Sequence, residues 1–289
     1  MAEDVKPGEL DITDELIAER RAEKPGQTPE DMTPWQRPIT AFADVLNLWA
    51  GVENVVHNET LTVPLARMVD HGLTRGMVEW VTAHVLRHHL GMDAHINGQD
   101  GQWRTAVPPL AQERPVTILG MGALGQVCAT TLTTLGFRVT GWSRSAKTVP
   151  QVTTLHGPEG LKTALNNAQI LVLLLPDTPV TTDMLNADTL AELPHGAVVI
   201  NPGRGPLIDD TALLSALDSG QVGHATLDVF RTEPLPKDHP YWAHPKVTVT
   251  PHIASATREG TASEVIAENI RRGEAGEPFL HLVDRTLGY

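Results

Sequence analysis

The sequence predicts an α/β fold built on a doubly wound parallel sheet, and three observations carry that prediction. Short runs of apolar residues recur through the chain without polar alternation, as strands covered on both faces require. Segments with apolar residues at helical spacing fall between those runs. A glycine-rich turn, Gly120-Met121-Gly122-Ala123-Leu124-Gly125, joins the first strand of this alternating series to its first helix.

The first 38 residues stand apart, with ten acidic and five basic side chains and few apolar anchors. One short helix is expected there, with Thr13 as N-cap and Leu16 and Ile17 on one side. Glu23 to Pro38 is proline-rich and reads as loop or disorder. Val45 to Trp49 reads as a short strand that ends at Ala50-Gly51. A long helix follows from about Gly76 to Leu90, with Met77, Val81, Val85 and Leu86 on one face. Then the alternation begins: Val116 to Leu119 as strand, Ala123 to Leu135 as helix, Phe137 to Trp142 as strand. Leu161 to Leu165 reads as a short helix and Ile170 to Leu175 as a buried strand. Ala197 to Asn201 is a strand, and Asp210 to Ser219 a helix between the N-cap Asp209 and the stop Gly220. Thr226 to Phe230 and Val247 to Thr250 read as strands, and a last helix runs from about Thr261 to Arg272, ending at Gly273. The expected division is a sheet domain over residues 71–258 and a second, smaller, shortened domain from residues 1–70 with 259–289.

Composition narrows the function classes. A chain of 289 residues with a formal net charge of −13 lacks the basic face that phosphate backbones demand, so a nucleic-acid partner is not expected. A single cysteine, Cys128, allows no internal disulfide and no thiolate metal cluster. The longest apolar run, Ile170 to Leu175, is far too short to cross a bilayer, and the acidic N-terminal segment has no signal-peptide pattern. A cytoplasmic protein without a membrane partner is expected.

The glycine turn carries the first functional inference. Between a strand and a helix, each glycine of G-x-G-x-x-G has its own role. Gly120 makes the tight turn, Gly122 admits a pyrophosphate, and Gly125 lets helix and strand pack closely. The helix start at Ala123 and Leu124 then offers free N–H groups and a positive dipole end to phosphate. A dinucleotide cofactor is expected. A site for NAD usually ends its second strand with an acidic residue, to hold the ribose 2′-hydroxyl. Here that strand runs into Ser143-Arg144-Ser145-Ala146-Lys147, and no acidic residue occurs from Arg114 to Pro158, although the chain carries 35. Ser143, Arg144 and Lys147 suit an anionic 2′-phosphate, so the cofactor expected is NADP(H).

Three further segments are specific. They are Asn201-Pro202-Gly203-Arg204-Gly205, Leu227-Asp228-Val229-Phe230-Arg231-Thr232-Glu233-Pro234 and Thr250-Pro251-His252-Ile253-Ala254. With the glycine turn, Leu174-Leu175-Pro176-Asp177-Thr178-Pro179 and the ending from Val283-Asp284-Arg285, they make residues 41–289 resemble the D-isomer-specific 2-hydroxyacid dehydrogenase family. The resemblance implies a Rossmann-type cofactor domain and reduction of short 2-keto acids, such as glyoxylate or hydroxypyruvate. It assigns Arg204 to the substrate, Glu233 to the histidine and His252 to proton transfer. It also implies that Pro202, Gly203 and Asp228 meet the nicotinamide end and that Leu175 and Pro176 border the adenosine side. The substrate carboxylate would meet backbone N–H groups of Trp49-Ala50-Gly51, where Trp49 replaces the family's usual small residue. It further implies a homodimer, with the long helix at the interface.

Chemistry supports the three catalytic roles separately. Reduction of a keto acid needs a hydride and a proton for the developing alkoxide, and imidazole is suited to give that proton at neutral pH. A carboxylate on the other ring nitrogen fixes the tautomer and favours the protonated ring. A guanidinium grips a carboxylate and polarises a neighbouring carbonyl. His84 and His88 are spaced as in some metal sites, but no general-base glutamate lies between them and no third ligand is evident, so no metal is expected. They and His89 read instead as solvated or interface histidines. Two rival readings are a dehydrogenase of another 2-hydroxy acid, such as a phosphoglycerate dehydrogenase relative, and a non-catalytic dinucleotide sensor. The basic end of the second strand counts against the first, and the presence of Arg204, Glu233 and His252 together counts against the second.

Overall fold

A computed structural model of the chain describes residues 45–48 and 50–288. The helix expected after Thr13, the loop to Pro38, and Trp49 lie outside the described residues. Two short parallel strands, β1 (Val45–Leu46) and β2 (Leu65–Ala66), flank helix α1 (Glu53–Val56). The tail of the chain returns to them. Leu282 bridges Ala66 in antiparallel sense, Val283 packs against Val52, Val56 and Leu65, and the Arg285 guanidinium donates to the carbonyl oxygens of Val56, Asn58 and Leu61. Helices α2 (His71–His89) and α3 (Met92–Ile96) lead into the main sheet.

That sheet is formed by β3 (Val116–Leu119), β4 (Val139–Ser143), β5 (Thr153–His156), β6 (Ile170–Leu173), β7 (Ala197–Asn201), β8 (Val222–Leu227) and β9 (Val247–Val249). Their spatial order is β5-β4-β3-β6-β7-β8-β9, and every neighbouring pair is parallel. The chain builds outward from β3 to β5, then crosses back to add β6 on the other side of β3. This reversal opens a crevice at the C-terminal ends of β3 and β6, where open α/β sheets take their ligands.

The two-residue strand period sorts the core into two layers. Val116, Ile118, Ile170, Val172 and Ile200 join Met77, Val81 and Val85 of α2 and Cys128 and Leu132 of α4 (Ala123–Thr134). Leu119, Leu171, Leu173 and Val199 face the opposite way, onto α5 (Gly157–Asn166), α6 (Ala187–Ala191) and α7 (Asp210–Ser219). Each fully buried Leu, Ile or Val contributes about 1.5–3 kcal/mol by leaving water, so the two layers hold the strand ends firmly. Cys128 lies in the first layer, where burial pushes its thiol up to about 12, an unreactive state.

Several elements depart from the sequence expectation. β5 was not expected, because Thr153-Thr154-Leu155-His156 is polar and half-exposed at the sheet edge. β8 starts and ends earlier than expected, since Gly223 and His224 interrupt its apolar pattern and Phe230 belongs to the following loop. α2 starts at His71 because Asp70 caps it, accepting from the Leu73 N–H at 3.1 Å. The last helix, α8 (Glu259–Ala275), passes through Gly273 and stops at Gly276 in the left-handed conformation. The solvated part of the reading given to His84, His88 and His89 requires a correction: these side chains are half-buried or buried. His88 Nε2 lies 2.8 Å from Thr226 Oγ1, its ring is 4.8 Å from that of His224, and His89 is only 6% exposed against Phe137. Among the described residues no three His, Cys, Asp or Glu side chains gather as metal ligands, and no described helix is long and apolar enough to cross a membrane.

Candidate active site

The glycine turn sits at the crevice between β3 and β6, and the surroundings of its glycines separate structural need from ligand need. Gly120 has φ +109°, and a Cβ there would press on the Leu174 carbonyl at the end of β6. A Cβ at Gly125 would overlap the Gly120 carbonyl oxygen. Both glycines are thus required by packing alone. Gly122 differs: a Cβ there would meet no protein atom within 4 Å. Gly122 is also the N-cap of α4 and provides no side-chain cap, so the first N–H groups of that helix have no side-chain acceptor there. That open cradle fits a dinucleotide pyrophosphate.

At the end of β4 the Ser143 hydroxyl donates to the Ser145 carbonyl at 2.8 Å, so it shapes the loop rather than standing open to a phosphate. Arg144 and Lys147 are exposed on that loop. Arg144 lies within electrostatic reach of Asp284: the Thr286 hydroxyl and backbone donors, with the Arg144 charge behind them, hold the Asp284 carboxyl below its ordinary value. Leu175 and Pro176 follow β6, half-buried beside the crevice.

Three adjacent strands, β7, β8 and β9, deliver the remaining groups from their C-terminal ends. At the end of β7, the buried Asn201 accepts from the Gly203 N–H at 3.0 Å and donates to the Arg204 carbonyl at 2.9 Å, which folds Pro202-Gly203 into a buried turn. After β8, Asp228 is 0% exposed. Its carboxylate accepts from the Thr250 hydroxyl at 2.5 Å and from the Ile253 and Ala254 N–H groups at 2.9 and 2.8 Å. Sequence reasoning assigned Asp228 to the nicotinamide; the structure gives its two oxygens to the loop that carries His252. That loop needs them, because His252 has φ +54°, a left-handed conformation costing a non-glycine residue about 1–2 kcal/mol. The His252 N–H donates to the Asp228 carbonyl at 2.8 Å as well.

The structure brings Glu233 and His252 together. His252 Nδ1 is 2.7 Å from Glu233 Oε2, and Glu233 Oε1 accepts from the Phe230 N–H at 2.9 Å. The carboxylate is therefore held at one oxygen by its own loop and orients the imidazole with the other. The ring is 51% exposed, so its reactive edge has access to a ligand. The loops after β7 and β8 touch: a Cβ at Gly205 would overlap the backbone of Phe230. Arg231 binds them further, donating from Nε to the Ile208 carbonyl at 3.0 Å and pairing with Asp183. Arg204 reaches the other way, to Gly51 and Glu53, with Nε 2.8 Å from Glu53 Oε1. Ala50 and Gly51 are half-buried beside it. Glu53, Asn201, Thr250 and Arg231 received no role from the sequence, and only the place of Glu53 as an acidic residue in the first turn of a short helix could have drawn notice to it.

Comparison with known proteins agrees with this architecture. Residues 80–254 match the family model described as D-isomer specific 2-hydroxyacid dehydrogenase, NAD binding domain. The chain is 40% identical to glyoxylate/hydroxypyruvate reductase A of Serratia proteamaculans, over 94% of this chain and 92% of the relative. A D-isomer specific 2-hydroxyacid dehydrogenase of Xanthobacter autotrophicus, solved with NADPH and MES, superposes with TM-score 0.83 at 45% identity, covering 85% of this chain and 79% of that one. The NADPH-dependent glyoxylate/hydroxypyruvate reductase of Sinorhizobium meliloti, solved with NADP and sulfate, gives TM-score 0.82 at 38% identity over 86% of this chain and 80% of that one. With a parallel sheet, a glycine cradle at its crevice and a matching sequence across most of its length, the chain belongs to the D-isomer specific 2-hydroxyacid dehydrogenase family.

Proposed function

We propose that this protein reduces small 2-keto acids, glyoxylate and hydroxypyruvate among them, with NADPH as the electron donor. The observation that carries this reading is the 2.7 Å contact of His252 with Glu233, in loops joined to that of Arg204 and set beside a ligand-ready glycine cradle. A bound NADPH would supply the hydride that reduces the keto carbon. The glycine cradle holds the pyrophosphate through N–H groups at the start of α4, while Arg144 and Lys147 attract the 2′-phosphate. Leu175 and Pro176 wall the adenosine side, and the Pro202-Gly203 turn with Asp228 beneath forms the floor towards the nicotinamide. Arg204 and the backbone at Ala50-Gly51 bind the substrate carboxylate. The Nε2 edge of His252 holds the proton that passes to the carbonyl oxygen as negative charge develops there. Glu233, 2.7 Å from Nδ1, keeps the ring in the orientation and tautomer that this transfer needs.

On the same reading, residues 1–70 and 259–289 form the substrate domain and residues 71–258 the cofactor domain. Two copies pair through α2 and the segment that follows it. That segment presents Ile96 (59% exposed), Trp103 (93%), Val107 (89%) and Leu110 (66%), a concentration of apolar surface that water disfavours. An acidic chain with one buried thiol, acting on small acids with a nicotinamide cofactor, fits the cytoplasm.

The test is the loss of reduced-nicotinamide absorbance with glyoxylate and hydroxypyruvate offered separately, using NADPH and then NADH. Turnover with at least tenfold preference for NADPH is expected. Protein that binds NADPH by titration yet turns over neither acid would refute the enzymatic reading in favour of a dinucleotide sensor.

A further inference from the structure

Arg204 and Glu53 lie 151 residues apart in sequence, yet their side chains meet where the short strands β1 and β2 approach the sheet. Arg204 Nε donates to Glu53 Oε1 at 2.8 Å, and Nη1 donates to the Gly203 carbonyl at 2.7 Å. A Cβ at Gly51 would overlap Arg204 Nη2 and lie 2.5 Å from Glu53 Oε2, so Gly51 leaves room for the guanidinium and the carboxylate together. The two side chains are 29% and 26% exposed, sheltered enough for the contact to hold its geometry. Glu53 also stands within reach of a second cation, Arg67, where burial lowers the guanidinium pKa and the Glu53 charge opposes that shift.

These contacts fix the plane of the guanidinium without exhausting it. The bonds use the Nε hydrogen and one on Nη1; the second Nη1 hydrogen and both on Nη2 remain. An unrestrained arginine has many rotamers open to it, and it would lose that entropy on gripping each substrate. A side chain already held in plane loses less, and holds the keto acid in the orientation that hydride and proton transfer require.

We propose that Glu53 is a positioning residue for the substrate, holding the Arg204 guanidinium so that its free Nη edge receives the 2-keto acid carboxylate. This rests on the reading of Arg204 as the substrate-binding residue. A carboxylate beside an anion site can also act in the contrary sense, occupying the arginine and competing with the substrate. The two roles predict opposite effects of removal.

The experiment compares wild type with Glu53→Ala, Glu53→Asp and Glu53→Gln. It measures affinity of the NADPH-loaded protein for oxamate, a non-reducible keto-acid mimic, together with KM, kcat and NADPH affinity. Glu53→Ala is expected to weaken oxamate about tenfold and raise KM by a similar factor, with NADPH affinity within twofold of wild type. Glu53→Asp keeps the charge but loses the reach, and should resemble Glu53→Ala. Glu53→Gln keeps an acceptor for Nε, and should remain within threefold of wild type. Equal or tighter oxamate binding by Glu53→Ala would overturn the proposal, as would wild-type behaviour of Glu53→Asp. An equal loss of NADPH and oxamate affinity in all three variants would also overturn it, by showing a general structural role. Wild-type protein that binds NADPH but not oxamate would overturn the substrate-site reading itself, and this proposal with it.

Discussion

Alanine at Gly122 and, separately, at Gly125 should divide cofactor binding from folding. At Gly122 the backbone is extended (φ −79°, ψ −163°), so alanine adopts it without strain, and its Cβ would meet no protein atom within 4 Å. Alanine is a poorer N-cap than glycine by about 1 kcal/mol, but it stiffens the unfolded chain by about 0.4–1 kcal/mol in compensation. Stability should therefore stay within about 1 kcal/mol of wild type, a melting shift of about 2–4 °C. Binding should respond far more. The methyl group enters the space a pyrophosphate would take, and losing one charge-assisted hydrogen bond costs about 1.5–3 kcal/mol, or about ten- to a hundredfold in NADPH Kd. At Gly125 the balance reverses. The added carbon would lie 2.9 Å from the Gly120 carbonyl carbon and overlap its oxygen, so strand and helix must part. Overpacking of this kind costs about 1–3 kcal/mol, and the melting temperature should fall accordingly. Fluorescence titration of NADPH and thermal melts measure both quantities on the same samples. Gly122→Ala protein that binds NADPH as wild type does would refute the assignment of the cradle. A Gly125→Ala protein as stable as wild type would refute the packing argument.

Other outcomes follow from the same geometry. His252→Ala should lose at least a hundredfold in kcat, within the range contributed by a positioned general acid, while NADPH Kd stays within twofold; steady-state kinetics with retained turnover would end its role as proton donor. Arg144→Ala combined with Lys147→Ala should weaken NADPH about tenfold or more and leave NADH nearly unchanged, since only NADPH carries the 2′-phosphate; equal losses for both cofactors would place the phosphate elsewhere. Burial first, then the neighbouring imidazoles and Arg87, lowers His88 to about 3, and burial lowers His224 to about 4 despite the favourable charge of Asp93. A depressed folded value means the unfolded chain takes up these protons first. Stability is full above about pH 6.5 and falls as pH drops towards 4, by up to about 1.4 kcal/mol per pH unit for each histidine. Melts across that window should show a shallower decline for His88→Gln than for wild type, and identical slopes would remove His88 from the account.

The main sheet was largely legible in the sequence because buried parallel strands announce themselves locally. Val116–Leu119 and Ala197–Asn201 are each apolar at all but one position, and Asp209 with Gly220 bound α7 by capping chemistry that acts within a few residues. The glycine spacing likewise identified the crevice from local pattern, since a tight turn and close backbone approach leave few alternatives to glycine. β5 escaped because an edge strand with exposed polar residues has no such local mark, and its register comes from β4 alone. His84, His88 and His89 were read as solvated or interface residues for a related reason: a helix face is polar or buried according to what packs on it, and β8 with β9 covers the side of α2 that carries Arg87 and His88.

At the site, residue types were legible and partnerships were not. The resemblance to a known family pointed to Arg204, Glu233 and His252 as candidates, but it held no sign that Asp228 would brace the histidine loop or that Arg231 would tie two loops together. Nor did it join Glu53 to Arg204. The sequence by itself determined which chemical groups leave the ends of which strands, because local patterns place strands, turns and caps. Only the tertiary structure decided which groups meet, because such contacts form between side chains brought together by crossovers and the returning tail, over separations that no local pattern records.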